Sequence, residues 1–118
     1  MNLQQLANQW IAAWNNHDLA AIMACYAENI EHTSPKIAAY FNIADSTIRD
    51  KSQLQFYFER ALQNNPALHF DLQHILTGHN SVVLIYKRMK TALAGEYLEF
   101  DDNGLIVRSR SHYKIIRL

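Results

Sequence analysis

The sequence predicts an α+β domain in which helices from the first half cover a curled, mainly antiparallel sheet built from the second. Three observations carry this. Apolar residues recur at three- and four-residue spacing up to about residue 65, the recurrence drops to two after Pro66, and Asn103-Gly104 marks a hairpin between two alternating runs.

Each element has its own signal. Leu3, Leu6, Ala7, Trp10, Ile11 and Trp14 form one stripe and predict a first helix. Asn15-Asn16-His17 interrupts it, and Asp18 can cap a short second helix that buries Leu19, Ile22, Met23 and Tyr26. Residues 29–35 lose the period, and Pro35 biases Ser34 towards extended backbone. Residues 36–49 have no clear periodicity. Their Ile37, Tyr40, Phe41 and Ile43 suit packing against the rim of the sheet or a second subunit. Asp50 and Gln53 resemble a capping pair for a third helix that buries Leu54, Tyr57, Phe58, Ala61 and Leu62, and Asn64-Asn65-Pro66 ends it.

A four-strand meander is expected to follow. Leu68, Phe70, Leu72, His74 and Leu76 share one face of its first strand. Gly78-His79-Asn80 is a turn, a β-branched run leads from Ser81 towards Thr91, and Ala94-Gly95 suggests a reversal before a strand around Glu96 to Phe100. On the last strand Leu105, Val107, Ser109, Ser111 and Tyr113 alternate with Ile106, Arg108, Arg110, His112 and Lys114. Two arginines on a core face would cost too much without an anionic ligand to grip, so the arginine face is placed outside.

Composition narrows the class. A chain of 118 residues suits one core, so a single domain over 1–118 is expected. Eleven basic residues balance eleven acidic ones, which argues against a nucleic-acid partner and leaves little repulsion against a homodimer. Cys25 is alone and has no partner for an internal disulfide, which fits a reducing cytoplasm. Within an apolar helix it reads as a small buried hydrophobe. No signal peptide and no stretch of membrane-spanning length is apparent. The six histidines lack H-x-H or H-E-x-x-H spacing, so neither a metal nor a cofactor is expected.

Two motifs add a family. Trp14-Asn15-Asn16-His17-Asp18-Leu19 with Cys25-Tyr26-Ala27-Glu28-Asn29 resembles the opening of the SnoaL-like members of the nuclear transport factor 2-like superfamily. Phe100-Asp101-Asp102-Asn103-Gly104-Leu105-Ile106 is similar to their final hairpin. The resemblance implies a conical α+β barrel with a deep pocket between sheet and helices, often a dimer through the outer sheet face, and a place for residues 36–49 near the pocket entrance, where their apolar side chains would act as a hydrophobic lid. It implies no single reaction, because the fold hosts isomerases, cyclases, dehydratases and binders. Among its members, ketosteroid isomerases need a carboxylate base and donors that hold an enolate. Carried over by position, the donor tyrosine falls on Trp10, the base on Ser34 (with the following proline kept as Pro35), and the buried acid on Glu96. Only Glu96 keeps its chemistry, so standard ketosteroid isomerase activity is not expected.

The candidate site is therefore weighed residue by residue. Glu96 shares a face with Leu98 and Phe100. It is either a desolvated acid in the pocket or a residue pointing into water beside Gly95. His74, on an apolar strand face, is either a satisfied core residue or the base that replaces the missing aspartate. His32 reads as an exposed loop residue. Trp10, Trp14, Tyr26, Tyr57, Phe58, Tyr86 and Tyr113 are core aromatics that also supply pocket wall, with Tyr26 and Tyr113 offering phenols that need polar partners. Ser109 and Ser111 are small polar residues where a core prefers bulk, which suggests a cavity. The expected partner is a small hydrophobic or carbonyl-bearing molecule, turned over by isomerase- or cyclase-type proton transfer or only bound. Glu96 and His74 would be the acid and base, with Ser34 and Tyr26 as hydrogen-bonding groups.

Overall fold

A computed structural model describes residues 1–41, 44–89 and 92–115. The chain runs α1 (Leu3–Asn15), α2 (Leu19–Ala24), β1 (Tyr26–Thr33), α3 (Pro35–Phe41), β2 (Thr47–Ile48), α4 (Lys51–Asn64), β3 (Phe70–Thr77), β4 (Ser81–Arg88), β5 (Ala92–Phe100) and β6 (Ile106–Ile115). The strands form one sheet in the order β2-β1-β6-β5-β4-β3. Neighbours are antiparallel except β1 and β6, which run parallel.

The helices start where side chains can accept their free N–H groups. Asn2 Oδ1 accepts from Gln5 N–H at 3.0 Å, and Asp18 Oδ1 accepts from Ala21 N–H at 3.1 Å. Asp50 Oδ1 accepts from Ser52 and Gln53 N–H at 2.8 and 3.4 Å. The polar break after α1 does more than end a helix. Asn15 exchanges two hydrogen bonds with the backbone of Phe70, at 2.7 and 3.0 Å, and His17 Nε2 lies 2.7 Å from the Leu68 carbonyl oxygen. These contacts fasten α1 to the start of β3 and seat Ala7, Trp10, Ala13 and Trp14 over the sheet. Trp10, Trp14, Phe58, Phe70 and Tyr86 then pack with ring centroids 4.4–6.1 Å apart.

Several expectations need correction. Tyr26 opens a strand rather than closing α2, and the region expected to lose periodicity is β1. Its inner residues Ile30 and His32 are buried, while Glu28 and Asn29 face water and blur the alternation. Residues 36–49 contain a fourth helix, α3, and the short β2; Ile43 lies outside the described residues. Ala94-Gly95 is no reversal. Gly95 sits within β5, opposite both Ile85 and His112, and β4 ends at Arg88, before Thr91, which is outside the described residues.

Two bulges invert the expected strand faces. On β3 the pairing slips between Leu72 and His74, so Leu72 opposes the inward Tyr86 whereas His74 opposes the outward Ile85. His74 is exposed and Ile75 takes the inner face. On β6 the slip falls between Phe100–Ile106 and Glu99–Arg108. It buries Ile106 in place of Val107 and leaves Ser109 and Ser111 inward as expected. Arg108 and Arg110 lie outside, with Arg108 3.3 Å from Glu99 and Arg110 3.7 Å from Glu31. Among the described residues no helix is long and apolar enough to cross a membrane.

Candidate functional site

Between the helices and the inner sheet face lies a cavity of about 180 Å³. Trp10 and Trp14 of α1 and Tyr57, Phe58 and Ala61 of α4 supply its helical wall, with Lys36 and Tyr40 from α3 and Asn65 beyond α4. The sheet contributes Tyr26 and His32 from β1, Phe70 from β3, Tyr86 and Arg88 from β4, Glu96 from β5, and Ser111 and Tyr113 from β6.

Glu96 reaches this cavity because β5 alternates strictly. Ala94, Glu96, Leu98 and Phe100 all turn inward, and Glu96 is only 2% exposed. Ser111 stands directly opposite on β6, with its hydroxyl 2.7 and 2.9 Å from the two carboxyl oxygens. Tyr86 Oη donates to Glu96 Oε1 from 3.5 Å. Burial raises the carboxyl pKa to about 7, outweighing the opposing pull of Ser111, Tyr86 and Arg88. Near neutrality Glu96 is therefore an acid able to donate a proton.

His32 is the residue that sequence reasoning misplaced. It sits on the inner face of β1, 3% exposed, opposite Ser109 on β6, with its Nδ1 bonded to Ser109 Oγ at 2.5 Å. Phe58 packs edge-on against the ring at a centroid distance of 5.5 Å. Burial lowers the imidazole pKa to about 4, so the ring is neutral at pH 7. Its signal in the sequence was alternation with Ile30, hidden by the polar Glu28-Asn29 pair.

Tyr26 Oη accepts from Trp10 Nε1 at 2.9 Å, and among the described residues it donates to no acceptor. Burial holds its pKa well above the usual phenol value, so it stays a neutral donor. Trp14 Nε1 is buried with no partner among the described residues. An orphaned donor in a cavity wall is costly unless an occupant accepts from it. The floor therefore combines donors at Glu96, Tyr26 and Trp14 with a neutral imidazole, which is a set suited to a carbonyl or enolate oxygen and a proton to be moved.

Of the sequence-predicted residues, Trp10, Trp14, Tyr26, Tyr57, Phe58, Tyr86, Glu96, Ser111 and Tyr113 line this cavity. Ser34 and Ser109 are buried but do not line it. Ser34 Oγ accepts from Lys36 N–H at 3.3 Å at the start of α3, and Ser109 is occupied by His32. The bulge removes His74 from the site altogether. Cys25 is half-buried at the end of α2, its thiol donating to the Ala21 carbonyl at 3.4 Å, and burial raises its pKa. Lys36, Asn65 and Arg88 were not anticipated, and Tyr40 was expected only in a lid or rim segment. Arg88 was readable, since it continues the inward series Val82, Leu84, Tyr86.

Comparison with known proteins identifies the family and the fold. The sequence profile of the SnoaL-like domain matches residues 7–115. The chain belongs to the SnoaL-like family. Its structure resembles a SnoaL-like protein of unknown function from Burkholderia thailandensis, at 37% identity and a TM-score of 0.88, over 94% of this chain and 93% of that one. At fold level it resembles an NTF2-like protein of unknown function from Cytophaga hutchinsonii (16% identity, TM-score 0.75, 97% and 93% covered). It also resembles a proposed isomerase of the SnoaL-like family from Agrobacterium tumefaciens (18% identity, TM-score 0.75, 94% and 96% covered). No curated protein matches the chain. The curled six-strand sheet under its helices is thus an NTF2-like cone.

Proposed function

We propose that this SnoaL-like protein binds a small, hydrophobic, carbonyl-bearing molecule in the aromatic cavity and moves a proton beside the carbonyl, as an isomerase or cyclase does. The observation that supports this is a buried acid and a buried neutral imidazole lining one apolar cavity: Glu96 with Ser111, and His32 with Ser109. Glu96 and Tyr26 hold the carbonyl oxygen as donors, and His32 Nε2 takes the proton. Trp10, at the family's donor position, spends its N–H on Tyr26, so the donor role passes to the Tyr26 hydroxyl. Ser34, at the family's base position, is replaced in that role by His32.

The Ser109–His32 hydrogen bond also supports a second reading, a non-catalytic binder. If Nδ1 carries the hydrogen and donates to Ser109, Nε2 is left with the lone pair a base requires. If Ser109 donates instead, Nε2 carries the hydrogen and can only donate to a ligand. Nitrogen-15 NMR of the imidazole separates these tautomers. The function itself is tested by following deuterium exchange beside the carbonyl of cyclohexanone and 2-tetralone in heavy water. Wild type should accelerate exchange, and Glu96→Gln or His32→Asn should lose most of the acceleration, about a hundredfold for a general acid or base. A ketone that binds without faster exchange points to the binder. A cavity that binds neither ketone sinks both readings.

The outer sheet face supports a homodimer. Val83, Ile85 and Tyr97 lie there beside Glu31, Glu99, Arg108 and Arg110, which offer both signs of charge to a two-fold related copy.

A further inference from the structure

We infer that the mouth of this cavity is a carboxylate-recognition site, formed by Lys36 and Arg88 around Tyr113, and that the molecule it takes is a small planar apolar acid. This rests on the reading of the cavity as a ligand site and adds the ligand's charge.

The two cations arrive from separate elements. Lys36 is in the first turn of α3, whereas Arg88 ends the inner face of β4. Both line the cavity and converge on one ring: Lys36 Nζ is 4.3 Å and Arg88 Cζ 5.8 Å from the Tyr113 centroid. Among the described residues neither has a carboxylate within 4.0 Å, although Arg49, Lys51, Arg108 and Arg110 each do. Arg60, Lys87 and Lys114 also lack one, but they are exposed and water satisfies them. Lys36 and Arg88 are half-buried and face a cavity.

Two like charges gathered at an aromatic-walled opening repel one another unless an anion sits between them. The cost is visible on Lys36, whose ammonium is pushed down to about 8 by burial and by Arg88. Glu96 does not supply the missing charge. Its carboxyl bonds Ser111 and Tyr86, and burial keeps it protonated up to about neutrality.

The chemistry of the pair narrows the anion. A guanidinium offers a planar fork that fits a carboxylate with two parallel hydrogen bonds, and a lysine adds a compact charge beside it. Trp10, Trp14, Phe58 and Phe70 form the apolar wall further in. At about 180 Å³ the cavity is slightly larger than the ~150 Å³ apolar cavity that holds one benzene ring. One ring or a short unsaturated chain fits inside, with its carboxylate at the mouth.

The test uses benzoate and trans-cinnamate, each against its uncharged amide, titrated into the full chain and followed by tryptophan fluorescence and by NMR. The acids should bind about tenfold or more tightly than the amides, and added salt should shrink the preference. In Lys36→Gln/Arg88→Gln the preference for acid over amide should vanish, chiefly through weaker binding of the acids. The single variants, checked for wild-type circular dichroism, should each lose part of it. Equal binding of acid and amide by wild type would overturn the carboxylate site and leave the cavity reading standing. Failure of all four probes to bind wild type would overturn both.

Discussion

Glu96 and His32 face the same desolvation with opposite signs, and this has a consequence for stability. An acid whose pKa rises from 4.5 to about 7 on folding keeps a proton that the unfolded chain has released. Stability is therefore unaffected below pH 4.5 and falls as pH rises to 7. A histidine whose pKa falls from 6.5 to about 4 lacks a proton that the unfolded chain holds, so stability falls as pH drops from 6.5 to 4. Each window spans about 2.5 pH units, or about 3 kcal/mol at about 1.4 kcal/mol per unit. Between pH 4.5 and 6.5 the two slopes oppose and cancel. Urea melts across this range should accordingly change little for wild type. Glu96→Gln should become more stable with rising pH over it, and His32→Asn less stable. Parallel pH curves for wild type and both variants would refute these assignments.

At the scale of elements, the limits of the sequence lie in the bulges. The periodicity that places Glu96 on the inner face of β5 is uninterrupted, so its direction was legible from Leu98 and Phe100. On β3 the same reasoning failed, because one unpaired residue, Gln73, reverses every side chain beyond it. No residue type announces such a bulge. The strand β1 was hidden differently: its hydrogen bonds go to a parallel partner 77–80 residues away and to the two-residue β2, and its exposed polar pair breaks the alternation. The helix caps Asp18 and Asp50 were legible because capping is a local event. These differences make a contrast that can be measured. His74→Ala should leave melting within about 0.5 kcal/mol of wild type and leave binding of the probe acids unchanged. Loss of binding in His74→Ala would return that residue to the site and deny the bulge.

For the molecule as a whole, the cavity marks a place where the fold gives up stability. A domain of this size closes its core with apolar side chains at near-crystalline density. Here the centre of the sheet instead carries Glu96, His32, Ser109 and Ser111, all buried, and Trp14 Nε1 has no partner among the described residues. Leu84 of β4, paired with Glu96, and Leu98, paired with Ser109 of β6, are fully buried apolar neighbours that call for no acid. A functional site that works against stability can be recognised by removing it, since the protein should then gain stability and lose its ligand. Glu96→Leu tests this, because leucine matches the neighbouring core and takes no charge into it. At pH 8, where native Glu96 is largely ionised, the substitution should stabilise by about 2 kcal/mol, as replacing an inadequately compensated buried charge with an apolar side chain does. That corresponds to a melting point higher by roughly 8 °C for a domain of this length. At pH 5 Glu96 is protonated and bonded to Ser111, so the gain should shrink towards zero. Loss of ketone binding should accompany the substitution at both pH values. A Glu96→Leu protein that melts lower than wild type at pH 8 would mean that the acid belongs to the core's own architecture, and the functional reading of Glu96 would fall with it.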